Sequence, residues 1–253
     1  MQGTLEAALA RVLRLEDPPR LTVAGRTDAG VHATGQVAHV DLEVAPDDHK
    51  VPDHHEVHNL VRLRRGLNGV LPPDVRVWSL VPAPPGFDAR FSALSRRYGY
   101  RIAEQVGSPL RRHDTLTWAR PLDVTRMNTA SEALLGEHDF AAFCKRREGA
   151  TTIRRLLRLD WTREGDGVLL GTVVADAFCH SMVRALVGAL LAVGEGRKPV
   201  DWPGTVLGAE VRNSSVAVAP ALGLTLHEVR YPEDEALAAR VEQTRRLRGQ
   251  PAG

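Results

Sequence analysis

Apolar residues recur along the chain at two different periods, and the changes of period predict an α+β protein. Leu5, Ala8, Leu9, Val12 and Leu13 follow helical spacing, so the first element reads as a helix with Thr4 as a possible N-cap. Strands are expected at 20–24 and 36–42, where Val37, His39 and Asp41 alternate with Ala38, Val40 and Leu42. A helix follows near 57–68, then strands near 74–81 and 95–103. The second half reads as a helix at 123–135, strands at 151–163 and 167–176, and an apolar helix at 180–193. A short helix near 203–209 and a strand at 224–230 complete the pattern, and residues 233–253 read as a solvent-facing helix with a frayed end. The Pro-, Gly- and Arg-containing stretch at 106–121 is the expected boundary between an N-terminal half, 1–105, and a C-terminal half, 106–253.

Length and composition narrow this picture. A chain of 253 residues can bury one large core or two smaller ones. Its longest apolar run, 185–193, is too short to span a bilayer and follows a charged residue, Arg184, so membrane insertion is dismissed. Only Cys144 and Cys179 occur, and no cleavable apolar leader precedes the first helix. A reducing cytoplasm is the expected home. Cys179 is expected as a small core residue.

Net charge says less than its make-up. The formal charge is only +2, yet 30 of the 33 basic residues are arginine, whose planar fork grips phosphate oxygens in pairs. They cluster at Arg62/Arg64/Arg65, Arg96/Arg97, Arg111/Arg112, Arg146/Arg147 and Arg154/Arg155/Arg158. Each cluster alone reads as a solvated face; several converging on one groove would form an RNA track.

The candidate chemistry begins at Ala24-Gly25-Arg26-Thr27-Asp28-Ala29-Gly30-Val31-His32-Ala33-Thr34-Gly35-Gln36. A strand ending at Gly25 and a glycine-bracketed turn would present Asp28 at the tip with Arg26 close by. A neighbouring cation favours the ionised carboxylate, making Asp28 a nucleophile or an anchor. An Asx-type turn, with Asp28 capping backbone N–H groups, fits the same spacing. Arg184 opens the apolar helix of Val183, Leu186, Val187 and Leu190, an unfavourable end for a cation, which favours a carboxylate partner. Tyr98 and Tyr100 share strand parity, so either could be core packing; Phe140 and Phe143 read as core, and His32 as a turn residue.

The string Gly-Arg-Thr-Asp-Ala-Gly-Val-His-Ala-Thr-Gly-Gln-Val resembles the signature of the TruA-type tRNA pseudouridine synthases. Phe87-Asp88-Ala89-Arg90-Phe91-Ser92-Ala93 with Arg96-Arg97-Tyr98-Gly99-Tyr100 is similar to that family's second block. Phe178-Cys179-His180-Ser181-Met182-Val183-Arg184 with Val187-Gly188 is similar to its third. Leu134-Leu135-Gly136-Glu137-His138-Asp139-Phe140 and Ala221-Leu222-Gly223-Leu224-Thr225-Leu226 also fit. The resemblance implies two similar α+β halves whose mainly antiparallel sheets join across a central cleft. It implies Asp28 as the catalytic nucleophile, Arg184 as its ion-pair partner, and Tyr98 against the target base. Arg26 would fill the gap left by a displaced nucleotide, and Leu224 would wall the pocket. The implied substrate is uridine at positions 38, 39 and 40, in the anticodon arm of tRNA, bound by a homodimer. The isomerisation is redox-neutral and releases no group, so neither cofactor nor metal is expected. Family members carry a leading strand before the first helix; here there is no room for one before Thr4, and an N-terminal extension in the native protein is the expectation.

Three rival functions are weighed. His49, His54, His55 and His58 with Asp47, Asp48 and Asp53 could form a metal site, but only His54 and His58 share helical spacing. Gly25 and Gly30 have P-loop separation, yet Val31-His32 replaces the required Lys-Ser/Thr, and no Gly-x-Ser-x-Gly elbow occurs. A noncatalytic RNA-binding module is the third, against which stands the joint retention of Arg26, Asp28, Tyr98 and Arg184.

Overall fold

A computed structural model describes residues 1–42, 54–145, 149, 151–209 and 211–249. Helix α1 (Gln2–Leu13) leads to three two-residue strands, β1 (Thr22–Val23), β2 (His32–Ala33) and β3 (Ala38–His39), and then to α2 (His54–Val70). Next come β4 (Ser95–Glu104), β5 (Leu116–Trp118), α3 (Val124–Glu132), β6 (Gly136–Asp139), β7 (Ile153–Arg163) and β8 (Leu169–Ala175). The chain closes with α4 (Met182–Gly194), α5 (Trp202–Leu207), β9 (Leu224–Arg230) and α6 (Leu237–Gly249).

Strands β2, β9, β4, β8, β7 and β6 lie side by side in that order, with β5 added alongside β4, and β1 and β3 form a separate ribbon. Most pairings are antiparallel; β2 on β9 and β5 on β4 are parallel. The α+β expectation and the antiparallel-dominated sheet therefore hold. Strand β4 is central because it is wanted on both sides: Tyr98 opposes Val173 of β8 and Leu226 of β9. The stretch at 106–121 is bound to β4 through β5.

The main core lies between this sheet and helices α3 and α4, around Tyr100, Ile102, Trp161, Leu186 and Leu190. In α4 every residue is buried except Arg184. At roughly 1.5–3 kcal/mol for each large apolar side chain removed from water, this helix is fixed in place by its burial. Gly188 sets its depth: a Cβ there would lie 1.8 Å from the Ala217 carbonyl oxygen. A smaller cluster holds α1 against α2 through Ala8, Leu9, Leu21, Leu67 and Leu71.

Several expectations are corrected. No strand forms at 74–81, although Val75 and Val77 pack on the smaller cluster. Side chains of α2 take its backbone groups instead: Asn68 bonds both the N–H and the carbonyl of Val77, and Arg64 donates to the Trp78 carbonyl. Thr4 lies inside α1, whose N-cap is Met1. The tail is not purely solvent-facing, since Leu237, Val241 and Thr244 are buried. Cys179 is only half-buried and lies beside Cys144, with Cα atoms 5.8 Å apart. Their segments meet where the Lys145 N–H donates to the His180 carbonyl. Phe140 and Phe143 are fully buried core residues, as expected.

Candidate active site

Asp28 sits on a loop whose two ends are tied to different parts of the fold. At its start the Ala24 N–H donates to the Val37 carbonyl, and Gln36 Nε2 reaches the Gly25 carbonyl at 2.8 Å. At its end β2 pairs with Thr225 and Leu226 of β9, and the N–H groups of Thr34 and Gly35 both donate to the Leu226 carbonyl. Between them the Val31 N–H closes a turn on the Asp28 carbonyl, with Gly30 at φ +81°. A side chain at that φ would be strained, which is why glycine stands there.

A buried arginine fixes the same loop from below. Arg96, only 5% exposed, donates to the carbonyls of Ala24, Arg90 and Asp176. Its guanidinium is therefore structural, a correction to reading Arg96/Arg97 as a solvated pair. Burial pushes its pKa down, with Tyr231, Tyr98 and Asp176 acting in the opposite sense. Arg97 stays half-buried and pairs with Glu228 at 2.8 Å.

The carboxylate of Asp28 faces the start of α4. Arg184 Nη1 donates to Oδ2 at 3.1 Å, Ser181 Oγ lies 3.3 Å from Oδ2, and His180 Nε2 is 3.4 Å from Oδ1. Arg184 Nε is held by the Ala219 carbonyl at 2.7 Å. A cation in the first turn of a helix loses about 0.3–1 kcal/mol to the macrodipole. A hydrogen bond to a charged group contributes about 1.5–3 kcal/mol, so the Asp28 pairing outweighs that loss. The carboxylate itself lies at the end of the helix where negative charge is favoured.

Tyr98 completes the group. Its ring meets Phe178 edge-on, with centroids 5.2 Å apart, and it is buried. Burial pushes its phenol up to about 12; Arg96 opposes this and Asp28 adds to it. It is therefore a neutral phenol near pH 7. Tyr100, of the same parity, is the core member of the pair, its hydroxyl on the Pro220 carbonyl.

All five residues singled out in the sequence line one cleft of about 660 Å³: Arg26, Asp28, Tyr98, Arg184 and Leu224. Arg26 is exposed at its rim and Leu224 is buried in its wall. Arg20, Arg90 and Arg154 also line it, so arginines from distant segments converge there. Sequence reasoning gave no role to His180 and Ser181. The available signal was the polar pair His180-Ser181 just before an apolar helix, one turn ahead of Arg184. The His-rich segment considered as a metal site lies outside the described residues and side chains. Among the described residues no group of three His, Cys, Asp or Glu side chains is arranged to hold a metal ion, and no helix is long and apolar enough to cross a membrane.

Comparison with known proteins identifies the family. A family model described as tRNA pseudouridine synthase matches residues 130–232. A tRNA pseudouridine synthase A of Frankia casuarinae is 64% identical over 99% of this chain and 88% of that protein. Proteins of the same name from Streptomyces griseus and Mycobacterium leprae are 55% and 49% identical, over 99% and 96% of this chain and 86% of each relative. With identity this high over nearly its whole length, the chain belongs to the tRNA pseudouridine synthases, isomerases that convert uridine to pseudouridine within tRNA.

Proposed function

We propose that this chain isomerises uridines in the anticodon arm of tRNA, at positions 38, 39 and 40, with Asp28 as the nucleophile. The observation that carries this reading is the meeting of Asp28, Arg184 and Tyr98 in one arginine-lined cleft. The reaction breaks the bond from C1′ to N1 of uracil, turns the base, and joins C1′ to C5. The C5 proton leaves and N1 gains one, so atoms and electrons balance without an oxidant or a leaving group. Attack by Asp28 at C1′ or at C6 of the base satisfies the same balance. Arg184 pairs with the carboxylate and aims it. The Tyr98 ring offers a face to the uracil, and its neutral phenol offers a hydrogen-bond donor rather than a standing base.

A base inside a folded tRNA must leave its stack to reach such a cleft. Arg26, exposed and lining the cleft, would occupy the gap, and Leu224 would wall the pocket behind the base. In this reading the protein is a homodimer whose subunits share one tRNA surface, works in the cytoplasm, and uses no cofactor. Asp28→Asn tests the assignment, using tRNA tritiated at C5 of uridine. Tritium release is expected to vanish while tRNA affinity stays within about threefold, because phosphate contacts dominate binding. Wild-type release from that variant would overturn the proposal.

A further inference from the structure

Ser181 occupies a conformation that its position does not require. It is the N-cap of α4, at φ 64° and ψ 7°, in the left-handed region. An N-cap residue ordinarily takes an extended backbone and lends its side chain to an N–H of the first helical turn. Asp123 does this for α3, at φ −83° and ψ 100°, accepting from the Arg126 N–H at 3.0 Å. Ser181 does neither, and its side chain caps nothing. Among the described residues only Arg14 and Gln105 share a positive φ without being glycine. Arg14 ends a helix, where the left-handed turn is common, and Gln105 follows β4. Ser181 alone of the three begins a helix and lines the cleft.

The strained turn has a geometric result. It brings two consecutive side chains onto opposite oxygens of one carboxylate: His180 Nε2 lies 3.4 Å from Asp28 Oδ1, and Ser181 Oγ lies 3.3 Å from Oδ2. The buried helix behind it cannot shift to relieve the strain, because α4 is buried at every residue but Arg184. Strain kept at a cleft, where glycine would remove it, points to a task for the side chain.

We propose that Ser181 is a positioning residue for the Asp28 carboxylate. Its hydroxyl donates to the oxygen that Arg184 also holds, which limits rotation of the carboxylate and leaves Oδ1 on the side of His180. The 3.3 Å contact is long for a hydroxyl donor, and such contacts shorten when a catalytic site closes on its substrate. This inference rests on the reading of Asp28 as the nucleophile.

Ser181→Gly separates positioning from folding, since glycine suits the left-handed turn better than serine. The expected result is a kcat lowered about tenfold, a KM for tRNA within about twofold, and an unfolding temperature equal to wild type or higher. Ser181→Asn keeps a left-handed-tolerant residue and supplies an amide donor, so it should return kcat to within about threefold of wild type. Wild-type kcat in Ser181→Gly, an equal loss in both variants, or a loss that tracks a lowered unfolding temperature would overturn the proposal. Asp28→Asn assayed alongside distinguishes the two readings. If it is inactive while Ser181→Gly is normal, only the role of Ser181 falls; if it is active, the nucleophile assignment falls and takes this one with it.

Discussion

The guanidinium of Arg184 makes two bonds at once, from Nη1 to Asp28 Oδ2 at 3.1 Å and from Nε to the Ala219 carbonyl at 2.7 Å. The second bond fixes the plane in which the first is offered. Lysine has one donor head and cannot span both acceptors. Arg184→Lys should therefore lower kcat about ten- to hundredfold with little change in KM for tRNA. Steady-state tritium release measures both; an unchanged kcat would remove the claim that the fork orients Asp28.

Arg96 predicts a different kind of loss. It joins the carbonyls of Ala24, Arg90 and Asp176 from a buried position. Arg96→Ala leaves those acceptors unpartnered, at about 1–3 kcal/mol for each that water cannot reach. Thermal unfolding should fall by several degrees, and activity should fall with it because Ala24 leads into the Asp28 loop. A variant with normal stability would show that the three bonds are dispensable.

Alkaline pH should unfold the protein through its tyrosines. Burial raises the phenols of Tyr98, Tyr100 and Tyr231 above their ordinary value, Tyr98 to about 12. The unfolded chain releases these protons near pH 10, while the folded chain holds them to higher pH. The stabilisation is thus complete below about pH 10 and is lost as pH rises through the folded values, at about 1.4 kcal/mol per pH unit for each tyrosine. Phenolate absorbance and loss of helical circular dichroism should rise together; phenolate formation in a fully folded protein would contradict this.

Gly188 allows α4 to approach the Ala217 carbonyl, where an added Cβ would sit 1.8 Å from the oxygen. Gly188→Ala must push apart α4 and the segment that ends at Ala219, the anchor of Arg184. A stability loss of about 1–3 kcal/mol in denaturant titration, with a fall in kcat, is expected. Wild-type behaviour would mean that the segment yields without cost.

What the sequence disclosed follows from how local each signal was. Helix α4 was legible because its apolar period is long and uninterrupted, and β4 because Tyr98, Tyr100 and Ile102 alternate. Strand β6 is Gly-Glu-His-Asp, with no apolar alternation, and exists because β7 supplies partners. The extended segment at 74–81 was misread because Val75 and Val77 alternate as a strand would, while the acceptor and donor that satisfy Val77 belong to Asn68 on a helix. At the site, Asp28 and Arg184 are 156 residues apart, and only the family-like blocks linked them. Arg96 looked like its neighbour Arg97, since strand parity alone does not tell which face a sheet buries.

The pairing of β2 with β9 has a consequence for the order of events during synthesis. His32 and Ala33 find their strand partners in Thr225 and Leu226, and Arg184 finds its brace in Ala219. A ribosome therefore releases the loop bearing Asp28 long before the segments that hold it in register exist. The residues of the small cluster around Leu9 and Leu67 all precede β9 in the chain, but none of them seats the carboxylate. Until β9 and Ala219 have been synthesised, the Asp28 loop lacks both the strand and the braced arginine that hold it in register.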